Sequence, residues 1–271
     1  MLNNLDKKTF DAFRDLVYDK AGIALGEKKE ALVAARLSKR MHSLDIPTYE
    51  EYYEYVNNDT DGLEIIKLLD SISTNVTHFF REQQHFDFIA NHIDKWYLGG
   101  QRKFRIWSAG CSSGEEPYTI AMTINETLRG KASDTRILAT DLSTKILTEA
   151  TEGIYNERDL EKIPDNYRRT YFEQIKVDNK VQYQIKSNCR SLITFQRLNL
   201  TDTPFPMKGP FDFIFCRNVM IYFDNTMRKR LLEEYHRLLK PGGFLLVGHA
   251  ESLTGMLTGL KSVKPSIYEK Q

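Results

Sequence analysis

No stretch of this chain approaches the roughly 20 consecutive apolar residues that a membrane-spanning helix needs. The opening residues, Met1 to Asp6, have neither a basic segment nor an apolar core, so a protein that stays in the cytoplasm is expected, with no membrane insertion. There is also no surplus of charge of one sign. The 38 basic residues nearly cancel the 37 acidic ones, and a net charge of +1 supplies no whole-molecule field toward nucleic acid or an anionic membrane. Electrostatic recognition must therefore be local. Cysteine is scarce: Cys111, Cys189 and Cys216 are odd in number, far apart and without nearby histidines, which excludes a disulfide framework and a zinc signature. They read as buried, inert thiols, and no metal is expected. Repeats and low-complexity segments are missing too. What remains is an ordinary globular composition, long enough at 271 residues for one large domain or one large and one small.

From Thr9 to about Asp70 the apolar spacing is helical, with Phe10, Phe13, Leu16 and Val17 recurring at three and four residues and Leu63, Ile66 and Leu69 doing likewise. A small all-helical domain is expected over residues 1–75. Within it Val33, Leu37, Met41 and Leu44 share one helical face, and Lys29, Arg36 and Arg40 fall in a sector beside it. That basic strip suits either a solvated flank or a docking surface for an acidic partner. Over residues 76–271 apolar runs rich in β-branched and aromatic residues alternate with helical segments, the signature of an α/β domain. Strands are expected at Phe104–Ser108, Arg136–Thr140, Leu192–Gln196, Phe211–Cys216 and Phe244–Gly248, with a weaker candidate at Ser266–Glu269. Helices are expected at about Glu115–Leu128, Thr144–Gly153 and Met227–Leu239, the last stopped by Pro241-Gly242-Gly243. Such alternation predicts a doubly wound, mainly parallel sheet with ligands outside the carboxyl ends of its strands. Residues from about 156 to 190 break the alternation. There a run from Val177 to Ile185, interrupted by Asp178-Asn179-Lys180, predicts a small β-hairpin insertion.

The sharpest chemical signal is Ser108-Ala109-Gly110-Cys111-Ser112-Ser113-Gly114-Glu115-Glu116-Pro117-Tyr118, running from a strand into a helix. Gly110 and Gly114 allow a tight turn and close approach to a ligand, but the spacing is not the dinucleotide fingerprint. Two carboxylates at the helix start also oppose a pyrophosphate. They favour a ligand with a cationic group or hydroxyls, with Glu115 as the contacting acid and Glu116 as a complement to the helix dipole. Asp141, at the end of the second strand and 27 positions after Gly114, stands where a carboxylate accepts hydrogen bonds from a ribose diol, unless it only caps the helix starting near Ser143. Asn199 after the third strand and Arg217-Asn218 after the fourth put further polar groups on the same rim.

A nucleoside with a cationic, unphosphorylated tail describes S-adenosylmethionine (AdoMet), and the residues carry a family resemblance. Gly110 to Tyr118, Phe215-Cys216-Arg217-Asn218-Val219-Met220-Ile221-Tyr222-Phe223, Leu238-Leu239-Lys240-Pro241-Gly242-Gly243 and Thr74-Asn75-Val76-Thr77-His78-Phe79-Phe80-Arg81 closely resemble the chemotaxis receptor methyltransferases, the CheR family. The resemblance spans nearly the whole chain in the same order. It implies a Rossmann-like class I AdoMet methyltransferase that esterifies glutamate side chains on the cytoplasmic signalling helices of methyl-accepting chemotaxis receptors. It further implies cofactor contacts at Asn75, Thr77, Arg81, Gly110, Glu115, Asp141, Asn199, Leu200, Arg217 and Asn218, and an active-site pair of Arg81 and Tyr222. It favours docking as the role of Lys29, Arg36 and Arg40, since receptor methylation helices are acidic. Some relatives also bind a receptor C-terminal tether peptide through a β-subdomain with a glycine-rich turn and an Arg-Val pair. Tyr171 to Val181 lacks both here, so tethering is not implied. The competing readings are an AdoMet methyltransferase of another carboxylate or of RNA, and a non-catalytic AdoMet-binding receptor module. A near-neutral chain argues against RNA, and the presence of both Arg81 and Tyr222 argues against an idle site.

Overall fold

The structure is a computed structural model that describes residues 5–72, 76–251, 253, 255–256 and 259–271, without the side chain of Lys28. Four helices come first: α1 (Lys7–Ala21), α2 (Glu30–His42), α3 (Tyr49–Asn57) and α4 (Leu63–Ile72). The carboxylate of Asp6 accepts the Thr9 N–H at 2.8 Å at the start of α1, and Gly22 ends it in the left-handed region, φ +65°. Phe10, Phe13 and Val17 of α1, Val33, Leu37 and Met41 of α2, and Tyr52 of α3 form a common apolar core.

Two expectations for these helices change. The inward face of α4 carries Glu64, Leu68, Leu69 and Ile72, so Leu69 is buried as its spacing implied, whereas Leu63 is 60% exposed. The cause is a buried ionic cluster. Glu64 accepts from Arg40 Nε at 2.8 Å and Nη2 at 2.6 Å, and from the Tyr52 hydroxyl at 2.9 Å. That pairing turns the carboxylate inward and carries Leu63 out. It also engages Arg40 of the expected docking strip, whose guanidinium, 21% exposed, cross-links α2 and α4.

Helix α5 (Gln84–Leu98), which the sequence reading did not anticipate, leads into β1 (Lys103–Ala109), α6 (Glu115–Thr127), β2 (Asp134–Asp141) and α7 (Thr144–Glu152). The insertion holds β3 (Ile154–Tyr155), α8 (Asp165–Tyr171), β4 (Phe172–Val177), β5 (Lys180–Ile185) and α9 (Ser187–Arg190). The chain closes with β6 (Ile193–Arg197), β7 (Phe211–Cys216), α10 (Asn225–Leu238), β8 (Leu239–Val247), β9 (Leu260–Lys264) and β10 (Ile267–Lys270). Strand β9 was also unanticipated. The main sheet runs β6-β2-β1-β7-β8-β10-β9, parallel from β6 to β8 and antiparallel at its last two strands. The insertion is a separate sheet ordered β3-β5-β4, whose hairpin turns through Asp178 and Asn179 at φ +47° and +61°. Pro241-Gly242-Gly243 lies inside β8 as pairing shifts from Phe211↔Leu239 to Phe213↔Phe244. Helix α10 has therefore already ended, at Leu238.

Alternate residues of the central strands enter two different cores, as the two-residue period of a strand dictates. Ile106, Phe213, Phe215 and Leu246 pack under α5, α6 and the insertion, while Trp107, Ile214, Cys216 and Leu245 pack under α10. All three cysteines are buried, and burial pushes each thiol up, away from reactivity. The sheet is thus covered on both faces, and ligand access falls to its edges and strand ends.

Glu64→Ala should strand the Arg40 guanidinium between α2 and α4 and cost about 3 kcal/mol of stability, the lower end of the scale for breaking a buried pair, since Arg40 keeps some solvent contact. Calorimetric unfolding checks this, and a loss under about 0.5 kcal/mol, the scale of an exposed pair, would show that solvent screens the interaction.

Candidate active site

Strands β1 and β7 are neighbours from which the chain winds in opposite directions, and the loops at their carboxyl ends open a cleft there. After β1 the backbone N–H groups of Gly110 and Cys111 donate to the Thr140 carbonyl at 2.7 and 2.9 Å, which ties the loop to the end of β2. Gly110 sits at φ +86°, and a Cβ there would meet Val219 Cγ2 at 2.4 Å, so only glycine lets the β1 and β7 loops approach this closely.

Asp141 ends β2 beside that loop. Its carboxylate accepts the Ser112 N–H at 2.9 Å and the Ser143 N–H at 3.1 Å, and burial raises its pKa while those N–H groups pull it back. It does not cap α7, since that role belongs to Ser143, whose hydroxyl accepts from Ile146 N–H at 3.1 Å. Asn199 follows β6, where its amide donates to the Lys20 carbonyl of α1 at 2.8 Å. Arg217 and Asn218 follow β7, the latter at φ +61°.

The helical domain roofs this cleft. Ala24 N–H donates to the Tyr222 carbonyl at 2.8 Å, the Tyr18 hydroxyl bonds Asp224 at 2.5 Å, and Leu142 and Tyr222 pack against the helical core. One cavity results. Thr77, Arg81, Gly110, Asp141, Asn199, Leu200, Arg217, Asn218 and Tyr222 line it from the sheet side, and Lys29 and Arg36 from α2 and the turn before it. The Lys29 ammonium lies 5.5 Å from the centre of the Tyr222 ring, and Arg36 donates to the Ile72 carbonyl. Asn75 lies outside the described residues. Arg40 is absent from the lining.

Glu115 and Glu116 are divided the other way round from the sequence expectation. Glu116 lines the cavity, accepting from the Ser108 hydroxyl at 2.6 Å and from Arg217 Nε at 2.7 Å. Glu115 turns away into a second, acidic recess with Glu149, Glu152 and Asp159, where it accepts from the Ser113 hydroxyl at 2.7 Å. Burial raises the Glu115 pKa, and the Ser113 hydroxyl partly offsets this. Successive helical residues point about 100° apart, so only one of two adjacent acids can face the cleft, and spacing does not say which.

Sequence reasoning also missed Glu251. It is buried after β8 and accepts the N–H groups of Gly248, Asn218 and Ile221 at 2.6, 2.8 and 3.2 Å, holding the loop that carries Asn218 and Tyr222. Burial raises its pKa, and these N–H groups counter the rise. A signal existed: Glu251 follows a central strand, the same position that marked Asp141 and Arg217.

Comparison with known proteins gives a consistent picture. Residues 75–268 match the family described as CheR methyltransferase, SAM binding domain, and residues 8–73 match CheR methyltransferase, all-alpha domain. The "Chemotaxis protein methyltransferase" of Borreliella burgdorferi is 40% identical, over 98% of this chain and 95% of that protein. A "Probable chemotaxis protein methyltransferase" of Rhizobium etli is 38% identical over 89% and 91%, and "Chemotaxis protein methyltransferase 2" of Pseudomonas aeruginosa 34% identical over 97% and 92%.

Asp141→Ala should weaken AdoMet binding by about 10- to 100-fold, the loss of one or two hydrogen bonds to a carboxylate, whereas Glu115→Gln should leave it within about twofold. With the ionised Asp141 carboxylate expected as the acceptor and its pKa raised by burial, wild-type affinity should fall on acidification from nearer neutrality than an ordinary aspartate would allow. Titration calorimetry measures all three, and equal losses in both variants would contradict the division of the acids.

Proposed function

The chain belongs to the CheR methyltransferase family, an AdoMet-dependent methyltransferase of chemotaxis, and from that premise we propose that it esterifies glutamate side chains on the cytoplasmic helices of chemotaxis receptors, within the cytoplasm. The observation that carries this reading is the shared cavity: Arg81 and Tyr222 line the same space as Asp141, Arg217 and Asn218. The donor set suits AdoMet. Asp141 offers acceptors for a ribose diol, and Leu142, Leu198 and Leu200 give apolar walls for a base. Arg217, with Nε and Nη1 engaged elsewhere, keeps Nη2 for a carboxylate. We assign Thr77, Gly110, Asn199, Leu200 and Asn218 to the same cofactor site, and Glu116 in place of Glu115.

When bound, AdoMet supplies an electrophilic methyl group. The rest of the task is positioning. A glutamate carboxylate has a pKa of about 4.3, so the nucleophile is already ionised at neutral pH and needs no general base. Arg81, whose Nη1 is held by the Val76 carbonyl at 3.0 Å, retains donors that can orient one oxygen of the incoming carboxylate and leave the other to attack. The Tyr222 hydroxyl can add a further donor. Lys29 and Arg36 stand at this same cavity, so their attraction acts on the acceptor glutamate itself and draws it from water. Residues 1–75 serve as the receptor-facing unit and 76–271 as the transfer unit. No metal has a part in this scheme.

The hairpin turn through Asp178 and Asn179 has two residues and no glycine, which supports a receptor engagement that does not use the tether peptide.

With labelled AdoMet and receptor-containing membranes, the wild-type chain should form base-labile methyl esters on protein. Arg81→Ala and Tyr222→Phe should cut turnover at least about tenfold, the worth of an oriented donor, and depress turnover more than cofactor affinity. Label on RNA, or binding without transfer, would replace this reading. In fluorescence anisotropy a receptor-tail peptide should show no saturable binding, and tight binding would restore the tether.

A further inference from the structure

Outside the groups assigned above, Glu82, His85 and His249 cluster behind the cavity wall at the start of α5 and the end of β8, an arrangement of metal-ligating side chains. The cation beside Glu82 and His85 is Arg217. Its side chain is 2% exposed. Nε donates to Glu116 at 2.7 Å, while Nη1 donates to the Arg81 carbonyl at 2.7 Å and contacts His85 Nδ1 at 3.1 Å. The Arg217 Cζ lies over the Phe86 ring, 5.3 Å from its centre, and Glu82 Oε2 stands 3.7 Å from Nη1. Among the described residues Nη2 alone has no hydrogen bond, and Arg217 lines the cavity.

Glu82 Oε2 also stands 3.4 Å from His85 Nδ1, but the Arg217 contact is the shorter one at 3.1 Å, and because a guanidinium can only donate, Nδ1 accepts there and the ring proton lies on Nε2. Nε2 is buried without a hydrogen-bond partner, so this tautomer is held by Arg217. The ring also stays neutral, since burial, then Arg217 and His249, hold its pKa down to about 3. A neutral acceptor fits the position. Glu116 and Glu82 already flank Arg217, and a third carboxylate would compete with any anion arriving at Nη2.

We propose that His85 is a positioning residue for the cofactor: by accepting from Nη1 it fixes the rotation of the Arg217 guanidinium so that Nη2 meets the cofactor's amino-acid carboxylate. The inference rests on the AdoMet reading. It predicts an effect confined to the amino-acid tail, which a packing role would not produce.

The test compares S-adenosylhomocysteine with 5′-methylthioadenosine, which lacks that tail, by calorimetry on the full chain. His85→Phe and His85→Leu remove the acceptor and should weaken S-adenosylhomocysteine by about tenfold or more, the cost of mispositioning one charged hydrogen bond, while 5′-methylthioadenosine stays within about twofold. His85→Asn, whose Oδ1 falls near the position of Nδ1, should restore binding of the tailed ligand. Equal losses for both ligands in the acceptor-less variants, or unchanged binding of S-adenosylhomocysteine, would overturn the proposal. If the wild-type chain bound neither ligand, the cofactor reading itself would fall, and the role of His85 with it.

Discussion

The candidate active site is organised around one buried cation. Arg217 joins three segments far apart in sequence: α6 through Glu116, the Arg81–His85 segment through a carbonyl and an imidazole, and the end of β7 through its own backbone. Burying a guanidinium is costly, and such pairs contribute little net stability. Their return here is geometric. With its donors assigned to fixed partners, the guanidinium has few orientations left, and the loops that carry those partners are held in one relation to each other.

A second constraint acts on the loop after β7. Glu251 gathers backbone N–H groups from Gly248, Asn218 and Ile221, so Asn218 is kept in the left-handed region and Tyr222 is directed at the helical roof. The roof is part of the site. Tyr222 packs against the helical core, and Lys29 lies over its ring. The helical domain therefore supplies one wall of the cavity, and the charges it presents there are the cations of Lys29 and Arg36.

Local pattern served well where one physical rule dominated. The central strands announced themselves as apolar runs because both faces of the sheet are covered, and Gly110 and Gly114 marked a turn that β-carbons would block. Strand-end polar residues such as Asp141, Asn199, Arg217 and Asn218 were legible because a parallel sheet puts all its ligand-facing loops at one rim. Legibility failed where two rules competed. Helix α4 buries Glu64 and exposes Leu63 because an ionic contact overrides its apolar periodicity, and the same contact takes Arg40 out of the basic strip. Helix α5 carries a readable spacing in Phe86, Ile89 and Ile93, but follows a segment that looks like a linker.

The sequence by itself determined the class of fold, the rim on which the site lies and, through its motifs, the family and the cofactor, because these depend on periodicity, on turn chemistry and on short contiguous runs. Only the tertiary structure decided that Glu116 and not Glu115 faces the cavity, that Arg40 pairs with Glu64 while Lys29 and Arg36 reach the cavity, and that His85 and Glu251 stand behind Arg217 and Asn218. Each of these depends on rotation about a helix or on contacts between residues more than twenty positions apart. Spacing along a chain carries no record of either.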